Sequence, residues 1–196
     1  MAEYKLEKNE NDLVRCNWCR FDELLLEYHD KEWGIPVHDD PKHFELLVLE
    51  SAQSGLSWLI ILRKREGYRR AFEGFDPKKI ADYDSQKILQ LLDDTGIIRN
   101  RKKIESAVAN AKAFLKVQEE FESFDRYIWS FVDGVPVINH FEVLSEVPAV
   151  SDLSIAISKD LRSRGFSFLG AVTVYSYLQS AGIVNDHTES CSFKYR

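Results

Sequence analysis

One domain of packed α-helices is the fold this sequence predicts, and three observations predict it. The chain has 196 residues, 44% of them hydrophobic, enough for one good core and short for two. From Phe21 onward apolar residues recur at helical spacing almost throughout, and capping residues and glycines punctuate the run. No tandem repeat, low-complexity tract or linker divides it.

The elements follow in order. In "DDPKHFELLVLESAQSGLSWLIILRKRE" Asp40 can cap a helix and Pro41 suits its first turn, while Phe44, Leu47, Val48 and then Ser51 or Ala52 keep helical register. Gly55 breaks this run into two helices. "DSQKILQLLDDTG" places Ile88, Leu91 and Leu92 on one stripe after a Ser/Asp start, and Gly96 closes it. "RNRKKIESAVANAKAFLKVQEEF" continues with Ile104, Val108, Ala111 and Leu115, and a further helix around "FDRYIWSFV" holds Trp129. Only "GVPVINHFEVLSEVPAV" looks extended, and it reads as a connecting loop rather than a pair of strands. "SDLSIAISKDLRSRG" and "LGAVTVYSYLQSAG" form the last helix pair.

The last pair has a specific shape: a helix ending at Arg164, a tight turn bracketed by Gly165 and Gly170, and a second helix from about Ala171. Amides at such a helix start can face an anion, which the helix dipole favours, and a DNA phosphate would fit with Arg162 and Arg164 beside it. A helical hairpin with no ligand has the same pattern. The net charge of −6 excludes a uniformly basic protein but not a local basic face, since phosphate attraction decays over roughly 10 Å at ordinary salt. Three clusters could form one, "RKREGYRR", "RNRKK" and "KDLRSR", although charge runs are commonly solvated helix faces. No apolar stretch approaches the roughly 20 residues that span a bilayer, and the charged start "MAEYKLEKNENDLVR" lacks the apolar region of a signal peptide. A cytoplasmic protein is expected.

There the three cysteines serve metal binding or catalysis more readily than disulfides. Near the C-terminus "HTESC" supplies His187 and Cys191, close enough to chelate one ion. The other pair is either Cys16 with Cys19, a C-x2-C half-site in "RCNWC", or Cys16 with His29 in "EYHDKEWG". A closed set of four leaves no position for water, so such a metal would tie the termini together. A three-ligand hydrolytic site completed by Cys19, Asp186 or a water is the alternative.

One acid stands out. Glu50 lies in "FELLVLESAQSGLSWLIIL" among Leu46, Leu47 and Leu49, where an unpartnered carboxylate is costly if the helix is central. Gln53 could share its pocket and Trp58 could offer a stacking surface; alternatively Glu50 points to water at the edge of the stripe, and Tyr28 and Trp33 are core aromatics.

Taken together, "RCNWC", "YHDKEWGIPVHDD", "FELLVLESAQSGLSW", "DDTGIIRNRKKI", "WSFV", "RGFSFLGAVTVYSYLQSAGIVNDH" and a Cys four residues after that His resemble the constitutive, type I family of bacterial 3-methyladenine DNA glycosylases. The resemblance runs from about Arg15 to Cys191, so residues 1–14 read as an N-terminal extension and 15–196 as the glycosylase domain. It implies an all-α fold of the helix-hairpin-helix glycosylase superfamily, with Arg164, Gly165, Phe166 and Gly170 gripping the DNA backbone. It implies one structural zinc held by Cys16, His29, His187 and Cys191, with Cys19 extra to the pattern. It gives Glu50 the role of pocket acid and Tyr28 and Trp58 that of base-stacking aromatics; position 25, aromatic in family members, is Leu25 here. The superfamily's catalytic Asp is lacking in type I enzymes, and Asp186, the nearest candidate, ranks below Glu50.

The function so implied is removal of 3-methyladenine from alkylated double-stranded DNA by a monomer with no membrane partner. No lysine stands in an obvious nucleophile position, so the expected outcome is hydrolysis to an abasic site without strand cleavage. Two rivals use the same residues: a noncatalytic, zinc-stapled helix-hairpin-helix module that binds DNA damage, and a zinc hydrolase acting on a small molecule.

Overall fold

A computed structural model describes residues 13–196; the expected N-terminal extension lies outside the described residues except for its last two. Among the described residues there are nine α-helices: α1 (Glu23–Lys31), α2 (Asp40–Gln53), α3 (Trp58–Ala71), α4 (Pro77–Ala81), α5 (Ser85–Asp93), α6 (Arg101–Phe121), α7 (Phe124–Trp129), α8 (Asp152–Ser163) and α9 (Ala171–Ser180). The long α6 packs on α2, α4, α5 and α7, while α9 packs on α2 and α8.

α2 sits at the centre. Every residue from His43 to Ala52 is buried, so the helix has no solvent face over that span. Phe44, Leu47 and Leu49 are wholly enclosed, each worth about 2 kcal/mol relative to exposure. This burial carries two carboxylates inside with the apolar residues. Glu45 is met by Lys42, Arg65 and Arg69; among the described residues Glu50 meets no cation.

Two local expectations change. Asp39, not Asp40, caps α2, its side chain accepting from Lys42 N at 3.0 Å. The half-buried Asp40 carboxylate accepts instead from the Phe124 and Asp125 amides at 2.9 and 2.8 Å, pinning the start of α7 to α2. The extended segment also does more than connect: β1 (Val137–Ile138) pairs in parallel with β2 (Val184–Asn185). Two residues per strand are too few to show an alternating pattern, so only the crossing of distant segments creates the pair.

Beyond α9 the chain turns sharply at Gly182, whose φ is +64°. A Cβ there would lie 2.2 Å from the carbonyl carbon of Ile35, so the residue must be glycine on both conformational and steric grounds. This close crossing directs the tail back over α1. Val14 and Ser192 pair through Ser192 N to Val14 O at 2.8 Å, and the fully buried Lys194 donates to the carbonyls of His187 and Asn139.

Candidate active-site cleft and metal cluster

A cleft of about 440 Å³ opens where α1, α2, α3 and α9 meet. It brings together Glu50, Tyr28 and Trp58, and adds Trp18 and Trp33. The rings make a continuous aromatic surface: Tyr28 and Trp58 centroids lie 5.3 Å apart, and Trp18 and Trp33 5.0 Å apart. The segment after β1 closes another side with Leu144, Val147, Pro148 and Ala149, and α9 supplies Val172, Tyr175, Gln179 and Ser180.

Glu50 is 3% exposed and the inward reading holds. Its Oε1 accepts from Ser180 Oγ at 2.6 Å, and that hydroxyl in turn accepts from the Tyr28 phenol at 2.9 Å. Its Oε2 is buried without a partner among the described residues, as is the indole N–H of Trp58. Burial pushes the Glu50 carboxyl up to about 8, with the Ser180 hydrogen bond acting against it. Burial also raises the Tyr28 phenol well above its ordinary value. Gln53 lines the cleft but leaves Glu50 to Ser180 alone. Leu25 is buried beside Cys16, Cys19 and Leu62 and does not line this cleft, so aliphatic character at position 25 sits behind the wall. Asp186 is buried and fully engaged, accepting from Asn139 at 2.7 Å, Tyr175 at 2.6 Å and Gln179 at 2.7 Å. Those bonds make it a brace for two residues of the cleft wall.

Behind Tyr28 lies a second cluster. The ligand-capable atoms of Cys16, His29, His187 and Cys191 are all within 4.8 Å of one another, and all four residues are buried. Cys191 Sγ stands 3.5 Å from His29 Nε2 and 3.3 Å from His187 Nδ1, and Cys16 Sγ is 3.6 Å from His187 Nδ1. The remaining ring nitrogens face acceptors, His29 Nδ1 the Asp30 carboxylate at 2.8 Å and His187 Nε2 the Trp33 carbonyl at 3.2 Å. Those outer bonds direct a lone pair of each imidazole into the cluster. The hydrogen bond between Cys191 and Cys16 holds the Cys16 thiol far below its usual range and, with burial, pushes the Cys191 thiol up. The set could hold a metal ion. Cys19 is not in it: its Sγ turns to the Cys16 carbonyl at 3.1 Å, and burial pushes its thiol up to about 11.

The hairpin forms as the sequence predicts, with Arg164 capping α8, Gly165 at φ +96° and Gly170 preceding α9. Asn110 of α6, buried, clamps its loop by accepting from Ser167 N at 2.8 Å and donating to Ser167 O at 3.0 Å. Val174 is the first α9 amide bonded back, to Gly170 O at 2.8 Å, which leaves the amides of the first turn for an outside acceptor. Phe166 is core; Phe168, at φ +57°, is the exposed aromatic of the loop. The Arg164 guanidinium is shared with Asp160 at 2.6 Å and Glu120 at 2.7 Å and lies over the rings of Phe121 and Tyr127. Other basic residues are likewise turned inward: Arg65 pairs with Glu32 and Glu45, and Lys103 donates to the carbonyls of Ala52 and Ser54 at the end of α2.

The methyladenine glycosylase family model matches residues 18–195. The chain belongs to this family. DNA-3-methyladenine glycosylase 1 of Escherichia coli (strain K12) is 44% identical over 91% of this chain and 96% of its own. DNA-3-methyladenine glycosylase of Haemophilus influenzae is 46% identical over 92% and 98%. The solved structure of 3-methyladenine DNA glycosylase I from Staphylococcus aureus, described for its recognition of 3-methyladenine, superposes with a TM-score of 0.90 at 41% identity, covering 93% of this chain and 97% of that one. Among the residues lining this cleft, Trp18, Tyr175, Gln179 and Ser180 escaped sequence reasoning. The indole in "RCNWC" was the one available signal.

Proposed function

We propose that the protein is a monofunctional DNA-3-methyladenine glycosylase, which removes 3-methyladenine from alkylated double-stranded DNA in base-excision repair. Family membership and relatives of that name support the activity. The observation that carries the site assignment is the buried, unpartnered Oε2 of Glu50 at the foot of an aromatic cleft. A lesion that pairs poorly costs less to extrude, and the extruded base enters between π-faces. 3-Methyladenine in DNA is cationic, so it gains from both the aromatic faces of Tyr28 and Trp58 and a carboxylate. Normal adenine is neutral and leaves the Glu50 oxygen uncompensated, a strong basis for rejection.

In the chemical step the C1′–N9 bond breaks, its electron pair stays on the base and cancels the positive charge, and water adds to C1′ with loss of a proton. The leaving group departs neutral, so no strong general acid is needed. Glu50 holds and orients the purine, and the product is an abasic site with the strand intact.

Arg164, Gly165, Phe166 and Gly170 form the segment that meets the DNA backbone. Its grip comes from loop and first-turn amides, and the paired Arg164 holds the hairpin in shape. The metal is zinc and structural. Tetrahedral Zn–S of about 2.3 Å and Zn–N of about 2.0 Å put neighbouring ligand atoms about 3.3–3.8 Å apart; three Cys–His separations of 3.3, 3.5 and 3.6 Å fall in that range, within a set that spans up to 4.8 Å. Residues 15–196 are the working domain, acting as a monomer in the cytoplasm; no helix among the described residues is long and apolar enough to cross a membrane.

The test is chromatographic detection of the base freed from methylated duplex DNA. Release of 3-methyladenine with intact strands is expected; binding to abasic DNA without release would favour a noncatalytic module.

A further inference from the structure

We propose that Ser180 is a positioning residue for the reaction: its hydroxyl fixes one oxygen of Glu50, aims the other into the cleft, and keeps the carboxyl able to ionise beneath a cationic base. This rests on the reading that Glu50 meets the methylated purine. Ser180 ends α9 and is the hydrogen-bond partner of both Tyr28 of α1 and Glu50 of α2.

Proton counting gives the chain a direction. A hydroxyl has one proton to give. If Ser180 donates to Glu50, its lone pair receives the Tyr28 proton, and every hydroxyl proton has an acceptor. Reversed, the chain would end on a phenolic proton with no acceptor among the described residues. Oε1 is therefore an acceptor whether or not the acid is ionised, and any proton on Glu50 sits on Oε2, the oxygen without a partner.

Two states of the cleft follow. Empty and near neutral pH, the buried acid keeps its proton on Oε2. A cationic purine displaces that proton and faces a carboxylate, whereas a neutral purine gives no reason for it to leave. The Ser180 hydrogen bond is what opposes burial and lets the exchange occur near neutral pH. From α9 the titratable side chain lining the cleft is Tyr175, whose phenol is held by Asp186 at 2.6 Å. From α1 the group facing Glu50 is Tyr28, with Glu32 and Arg65 of α3 acting on Tyr28 in opposite senses; Trp58 of α3 is uncharged, and the wall from Leu144 to Ala149 is apolar in its cleft-lining residues.

The experiment measures kcat/KM for release of 3-methyladenine from methylated duplex DNA between about pH 6 and pH 10 for the wild type, Ser180→Ala and Ser180→Thr, with thermal unfolding as a check on folding. In the wild type kcat/KM should rise with pH as Glu50 ionises. Loss of a hydrogen bond to a charged group should move that rise alkaline by about one to two pH units in Ser180→Ala, with the plateau within a few-fold of wild type, and Ser180→Thr should restore the original profile. If Ser180→Ala does not fold, Ser180→Cys replaces it; a weaker donor should give a smaller shift in the same direction. Wild-type release with an unshifted profile in the folded variant, or an equal loss at every pH, would overturn the role of Ser180. A wild type that frees no 3-methyladenine would instead overturn the functional reading beneath it.

Discussion

Glu50→Gln separates the cost of the buried acid from its use. Below about pH 4.5 the carboxyl is protonated in both folded and unfolded chains and adds nothing to the pH dependence. Above that value the unfolded chain ionises while the folded one keeps its proton, so stability falls as pH rises, and the fall ends near 8 where the buried group ionises too. The gap between 4.5 and about 8, taken at about 1.4 kcal/mol per pH unit, amounts to about 5 kcal/mol. Water reaching the open side of the cleft screens part of it, leaving about 3 kcal/mol or more. Glutamine keeps a carbonyl to accept from Ser180 and cannot ionise. Urea unfolding at pH 5 and pH 9 should show the wild type losing that stability and the variant keeping most of it. Base release should fall in the same variant by roughly a thousandfold, since a charge pair at about 4 Å is worth about 4 kcal/mol at an effective dielectric constant near 20. Equal pH dependence of stability in both proteins would refute the burial argument, and undiminished excision by the variant would refute the role of Glu50.

Other perturbations have distinct readouts. His29→Ala should lose the bound metal and Cys19→Ala should keep it, measured as zinc per chain by atomic absorption, because only His29 reaches the cluster. Gly182→Ala should lower stability by about 2 kcal/mol or more, read by thermal unfolding, since its φ of +64° and the backbone of Ile35 both oppose a Cβ. Asn110→Ala should weaken binding to abasic duplex DNA by several-fold in an anisotropy titration and cost about 1–2 kcal/mol of stability, because two hydrogen bonds to the hairpin loop are lost.

What was legible in the sequence is what repeats or is short-range. The stripe of Phe44, Leu47 and Val48, the break at Gly55 and the hairpin between Arg164 and Ala171 all depend on neighbours within a few residues. Where two adjacent residues could do one job, spacing could not choose: Asp39 caps α2 and Asp40 serves α7, a division set by where α7 docks. The same limit kept Cys19 and His29 open. The Cys19 thiol turns to the Cys16 carbonyl, and only the return of the tail brings His29 into the cluster. The basic clusters misled in part because charge is visible in a sequence and its partner is not; Arg65 and Lys103 serve buried acceptors. Ser180 was beyond reach for a further reason. A serine at the end of an apolar helix carries no signal until Tyr28 and Glu50 arrive from distant parts of the chain.

Two dipeptides join the cleft to the ligand cluster. Tyr28 lines the cleft and His29 faces the ligands; Asp186 braces the cleft wall and His187 faces the ligands. In each pair one peptide unit, about 3.8 Å between Cα atoms, separates the two duties. Substitution and length therefore meet different constraints in the tail. An exposed side chain there is free to drift, but gain or loss of one residue between Asn185 and Cys191 would turn either the carboxylate or the imidazole out of place. Ligands that never touch the base would then be as intolerant of a shift in the chain as the residues that enclose it.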